Sequence, residues 1–153
     1  MQRSLVGSEM CIRDRMMYRY AKYLGEDITT DNDISAFKDA ASVSDFALDV
    51  VPKTVDKILL KTSMKKTDID YYVFHQANKF MLQFLQMKCD LLDYPYWNDV
   101  KEYGNTVSCS IPIALVDMMR ANRDKKVNKV MSIGFGVGLS WGGCVIDMSK
   151  YEK

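Results

Sequence analysis

The chain holds a single histidine, His75, and acid–base or hydrogen-bonding chemistry is sought first around it. His75 follows the short aromatic and β-branched run Tyr71-Tyr72-Val73-Phe74, which predicts a buried strand. Gln76-Ala77-Asn78 comes next, and then a helical pattern begins. In an open α/β sheet the carboxyl edge of a strand is where ligands bind. The alternative is a histidine hydrogen-bonded for structure alone. Asn105 stands in a comparable place, in the turn Gly104-Asn105-Thr106 ahead of another helical pattern. It is either a helix N-cap, for which asparagine is well suited, or an amide donor for a substrate. A third feature is Gly134-Phe135-Gly136-Val137-Gly138. It reads as a tight hairpin or as a loop whose bare N–H groups face a substrate oxygen. Because it leads into a strand rather than a helix, it is a weak phosphate-binding signal.

Cysteine chemistry has little to work with. Cys11, Cys89, Cys109 and Cys144 form no CxxC pair and no metal-ligand spacing, so no metal or other cofactor is expected. Cys109 stands at a helix start, where a thiol pKa can be depressed, while Cys89 and Cys144 read as packing positions. Reduced thiols in a cytoplasmic setting are the natural expectation.

The elements that must position these residues follow from periodicity. Val43, Phe46, Ala47, Val50, Val51, Ile58 and Leu59 recur at helical spacing, with a kink or break expected at Pro52. After the Tyr71–Phe74 strand, Phe80, Met81, Phe84 and Leu85 are expected to form the apolar stripe of a second helix. Asp90 to Tyr103 reads as loop with one short strand. A third helix begins after Thr106, with Ile111, Leu115 and Met118 as its stripe and Pro112 early, where a missing N–H is tolerated. Two closing strands, Lys129–Ile133 and Trp141–Met148, flank the glycine-rich run. The fold class is therefore α/β, helices packed on a sheet.

Bulk properties narrow the function classes. The length of 153 residues suits one ordinary domain, and a formal net charge of +1 gives no electrostatic case for nucleic acid or an anionic membrane. No apolar run of about 20 residues is present, so no membrane span is expected, and the N-terminus lacks the apolar core of a signal peptide. Leu5 to Arg15, back-translated, resembles the transposase adapter used in sequencing-library preparation. Residues 1–15 are accordingly expected to be foreign, with the true reading frame extending upstream of Met16 and residues 16–40 a poorly defined lead-in to a domain over 41–153.

Taken in order, His75-Gln76-Ala77-Asn78, then Tyr103-Gly104-Asn105-Thr106 with Ser110-Ile111-Pro112, then Gly134-Phe135-Gly136-Val137-Gly138-Leu139-Ser140-Trp141-Gly142, resemble the C-terminal half of β-ketoacyl-acyl carrier protein synthase III. Lys38-Asp39-Ala40 to Phe46 is a fainter likeness, with Lys and Ala where the family has Met and Gly. The resemblance implies a thiolase-like fold of two related halves, usually dimeric, with a mixed sheet and helices packed on it. It implies decarboxylative Claisen condensation of an acyl-coenzyme A with malonyl-acyl carrier protein, in fatty acid biosynthesis. The family's first half supplies a cysteine nucleophile, for which this chain has no candidate; its second half supplies a histidine and an asparagine, matched by His75 and Asn105. The backbone of Val137 would serve the oxyanion hole beside Gly136, and Phe135 would border the cavity. Val137 departs from the glycine common there, but a backbone donor survives. Lys79 is the basic residue expected first to meet the acidic carrier protein. Two rivals stand beside this reading: a related thiolase-like acyltransferase of secondary metabolism, and a non-catalytic half acting as a binding module. An isolated half would leave apolar surface uncovered, so poor solubility or self-association is expected.

Overall fold

The computed structural model describes residues 40–136 and 139–150; for residues 40–43 it describes the helical backbone only. The adapter-like segment, the lead-in and the fainter likeness before residue 40 lie outside the described residues, as does Val137.

The elements in order are helix α1 (Ala40–Thr62), a 3-10 turn (Lys66–Asp68), strand β1 (Tyr71–Phe74), helix α2 (Lys79–Lys88), strand β2 (Tyr96–Trp97), the single-turn helix α3 (Val100–Tyr103), a second 3-10 turn (Val107–Cys109), helix α4 (Ser110–Ala121), and strands β3 (Lys129–Gly136) and β4 (Ser140–Asp147). The sheet order is β2-β1-β3-β4, with β1 parallel to both β2 and β3. The expected α/β class, helices packed on a sheet, is what forms.

The described residues divide into two compact units: 48–134 with 142–150, and 40–47 with 135, 136 and 139–141. In the first, β1 is central. Tyr72, Val73 and Phe74 are all buried, as a strand with parallel partners on both sides requires. Odd and even residues separate by the pleat. Val73 joins Ala114 and Met118 of α4 and Val127 and Val130 in one apolar cluster, with Tyr71 and Trp97 at its margin. On the even side Tyr72 meets Tyr94 and Phe74 meets Tyr96, edge to face, at centroid distances of 6.3 Å and 5.1 Å. Register is fixed by Asp70, whose Oδ2 accepts from the N–H groups of Asn128 (2.7 Å) and Lys129 (2.8 Å). Gly143 is required by close approach: a Cβ there would lie 2.9 Å from Ile58, Ile133 and the Ser132 carbonyl. In the second unit, Phe46 meets Trp141 edge to face at 5.4 Å.

Five expectations are corrected. Pro52 does not end α1, which runs through it; Val50, Val51, Val55 and Leu59 are buried on its apolar face and offset the one missing amide. On α2 the buried face is Met81, Leu82 and Leu85, while Phe80 and Phe84 are exposed. Its sequence carries two apolar faces, and spacing alone does not say which is covered. On α4 the face is turned by about one residue, to Ser110, Ala114 and Met118, with Ile111 and Leu115 half-buried. Finally, Gly134-Phe135-Gly136 extends β3 instead of forming the turn. Cys144, expected to pack, is exposed, as is Cys109; Cys89 is buried.

Candidate active site

β1 delivers His75. The His75 N–H donates to the Ile133 carbonyl at 2.8 Å, carrying the β1–β3 ladder one residue past the strand. The imidazole Nδ1 lies 2.7 Å from Oγ of Ser110, the first residue of α4. The half-buried ring thus rests on the helix opening, and burial holds its pKa below the ordinary histidine value. That shift favours the uncharged imidazole at neutral pH.

The three residues after it shape the turn. Gln76, almost wholly buried, donates from Nε2 to the Phe74 carbonyl (2.7 Å) and accepts at Oε1 from the Asp99 N–H (2.8 Å). Its own N–H donates to Ser110 Oγ at 3.3 Å. Asn78 caps α2, its Oδ1 accepting from the Met81 N–H at 2.9 Å. Asp99, buried at the head of α3, has its carboxyl pushed above its ordinary value, chiefly by burial, with Trp97 opposing the shift and the nearby Asp117 and Glu102 carboxylates adding to it.

Asn105 is not the N-cap of an α-helix. It lies upstream of the 3-10 turn that runs into α4, and its Oδ1 accepts from the Val107 N–H at 2.9 Å, closing a local side-chain turn. Because that oxygen must face a donor, the amide orientation is fixed chemically, and Nδ2 has no partner among the described residues. Asn105 is exposed. Val107 takes φ of +54°, a left-handed conformation that a β-branched residue rarely adopts. Strain of this kind concentrates at functional sites.

His75 lies against Ser110, the first residue of α4, and Asn105 stands five residues before Ser110, on the segment that leads into that helix. Phe135 and Gly136 are the last residues of β3, Phe135 buried and Gly136 half-buried with open space where a Cβ would stand. Lys79 is the exposed first residue of α2. Among the described residues no group of His, Cys, Asp and Glu is arranged to hold a metal ion, and no helix is long and apolar enough to cross a membrane. Sequence reasoning passed over Gln76 and Ser110 as organisers of this corner. The available signals were a polar residue directly after a buried strand and a serine directly before an Ile-Pro helix start.

Residues 59–148 match the family model described as 3-oxoacyl-[acyl-carrier-protein (ACP)] synthase III C terminal. The chain is 37% identical over 100 residues to β-ketoacyl-[acyl-carrier-protein] synthase III of Microcystis aeruginosa, covering 65% of this chain and 30% of that one. It is 36% identical over 103 residues to the protein of the same name from Acholeplasma laidlawii, covering 67% and 33%. Among solved structures, β-ketoacyl-[acyl carrier protein] synthase III from Thermus thermophilus aligns with a TM-score of 0.66 at 29% identity, over 71% of this chain and 34% of that one. The priming β-ketosynthase of the R1128 polyketide pathway aligns with a TM-score of 0.63 at 29% identity, over 71% and 33%. The chain spans about a third of the length of the curated relatives it matches.

Proposed function

The chain belongs to the 3-oxoacyl-[acyl-carrier-protein] synthase III C-terminal family, and from that premise we propose that it supplies the His–Asn portion of a decarboxylating condensing site. The reaction proposed for the whole protein joins an acyl group from acyl-coenzyme A to malonyl-acyl carrier protein, in the cytoplasm and in a homodimer. Loss of CO2 breaks the bond to the malonyl carboxylate and leaves an enolate. His75 and Asn105 donate hydrogen bonds to the thioester oxygen as charge develops there. The enolate then attacks an acyl thioester on a cysteine supplied from outside this chain, and that thiolate leaves. The backbone at Gly136-Val137 would serve the acyl oxygen, with Phe135 bordering the cavity.

The observation that carries this reading is the orientation of Asn105, whose oxygen is occupied by Val107 and whose Nδ2 is left as a donor. The neutral state of His75 agrees with it, since neither donor needs to change protonation as CO2 leaves. Lys79 is the proposed carrier-protein contact. A cation at a helix N-terminus opposes the helix dipole, so helix stability does not account for its place. The likeness to a polyketide priming synthase supports a second reading, the same chemistry serving secondary metabolism.

The test uses the purified chain with malonyl-acyl carrier protein and follows CO2 release. Slow decarboxylation without 3-oxoacyl product is expected, falling about 10²–10³-fold in His75→Ala and in Asn105→Ala, the usual cost of removing one such donor. Equal decarboxylation by parent and both variants would overturn the assignment. Condensation product from the chain alone would overturn the need for an outside cysteine.

A further inference from the structure

We propose that Ser110 is a positioning residue that sets the tautomer of His75, holding the imidazole with its proton on Nε2. The inference deepens the enolate-stabilising reading and adds a residue to it. A hydroxyl has one hydrogen to give and two lone pairs to accept with. Two groups meet Ser110 Oγ: the Gln76 N–H at 3.3 Å and His75 Nδ1 at 2.7 Å. The backbone amide can only donate, so the oxygen accepts there. If Ser110 then donates to Nδ1, both contacts are satisfied and no hydrogen is left over.

The opposite arrangement, Nδ1–H donating to the serine, makes Oγ accept twice and strands the hydroxyl hydrogen. Ser110 is 2% exposed, and no third partner of its hydroxyl exists among the described residues. A buried polar hydrogen left without a partner shifts such an equilibrium by about tenfold or more. The geometry therefore selects Nδ1 as acceptor and Nε2 as the nitrogen bearing hydrogen. The donor required at the thioester oxygen is the Nε2–H form. Burial of the ring, which disfavours its charged form, keeps the tautomer question relevant at neutral pH.

His75 is the only histidine, so the ¹⁵N spectrum of its imidazole is unambiguous in the full chain. Long-range ¹H–¹⁵N correlation at pH 8 should show Nδ1 as an unprotonated, acceptor-type nitrogen and Nε2 as protonated. In Ser110→Ala the share of the Nδ1-protonated form should rise severalfold, and Ser110→Thr, which keeps the hydroxyl, should restore the parent pattern. Nδ1 protonated in the parent, or an unchanged tautomer ratio in Ser110→Ala, overturns the proposal. The parent spectrum is decisive even if Ser110→Ala does not fold. It also separates the two assignments: correct tautomer with no decarboxylation sinks the function, and decarboxylation with the wrong tautomer sinks Ser110.

Discussion

Replacing Gln76 by Met tests whether the turn after β1 is held as described. The side chain is almost wholly buried and of similar length, so packing changes little while its amide contacts, two short ones and a long one of 3.5 Å to the Trp97 carbonyl, vanish. The Asp99 N–H loses the oxygen that now lies 2.8 Å away, and the Phe74 carbonyl loses a donor at 2.7 Å. One buried donor left unpaired costs about 1–3 kcal/mol and the second lost bond about 1 kcal/mol, together about 2–4 kcal/mol. With a urea dependence of about 1–2 kcal/mol per molar for a chain of this size, the unfolding midpoint should fall by about 1–4 M. Urea titration followed by circular dichroism measures it. Gln76→Glu sharpens the test, because a glutamate still accepts from Asp99 but donates to Phe74 only when protonated. Burial favours its protonated form, so the native state binds more protons than the unfolded one, and stability falls as pH rises. The Glu variant should be weak at pH 7.5 and recover toward the parent near pH 5. A Met variant within about 0.3 M of the parent would refute the reasoning.

Three further outcomes are expected. Val107→Gly relieves the positive-φ strain while keeping the amide that Asn105 accepts from, and it should raise stability by about 1 kcal/mol; a lower urea midpoint contradicts this. Under native alkylation at pH 8, Cys109 and Cys144 should be labelled and Cys89 protected, since burial pushes the Cys89 thiol up to about 12; peptide mapping that finds Cys89 modified as fast as Cys109 would count against the fold. The lowered His75 pKa means the folded chain binds fewer protons than the unfolded one below the ordinary value of 6.5. Stability is then fully present above that pH and is lost as pH falls through it toward the folded pKa. His75→Gln should flatten this slope, measured as urea midpoints from pH 7.5 to 5, and an identical slope in both chains would remove the stated cause.

Strand β1 was legible from Tyr71 to Phe74 because β-branched and aromatic residues meet a polar turn at His75. The helix faces were not. On α2, apolar residues occupy six of its ten positions, so 3.6-residue spacing fits more than one stripe, and only the partner surfaces decide that Leu82 goes inside and Phe80 outside. At Pro52 a local rule allowed a kink or a break, and the break does not form, because the burial of Val50, Val51 and Val55 outweighed it. At the candidate site, His75 and Asn105 could be named as candidates from residue type and order. The hydroxyl of Ser110 and the amide of Gln76 could not, because their work is hydrogen bonding between segments far apart in sequence. Spacing carries no record of such pairings.

The parallel pairing of β1 has a consequence for biogenesis. Both its neighbours come later in the chain: Tyr72 aligns with Tyr96, and Tyr71 waits for Val130. As the polypeptide leaves the ribosome, the segment bearing His75 emerges before either of the strands it pairs with among the described residues. It acquires its second neighbour only when β3 has been made. Long-range pairing of this kind is slow and exposes nascent chains to aggregation. Shortening the chain from its C-terminal end would therefore erase the histidine's seat long before reaching the histidine itself.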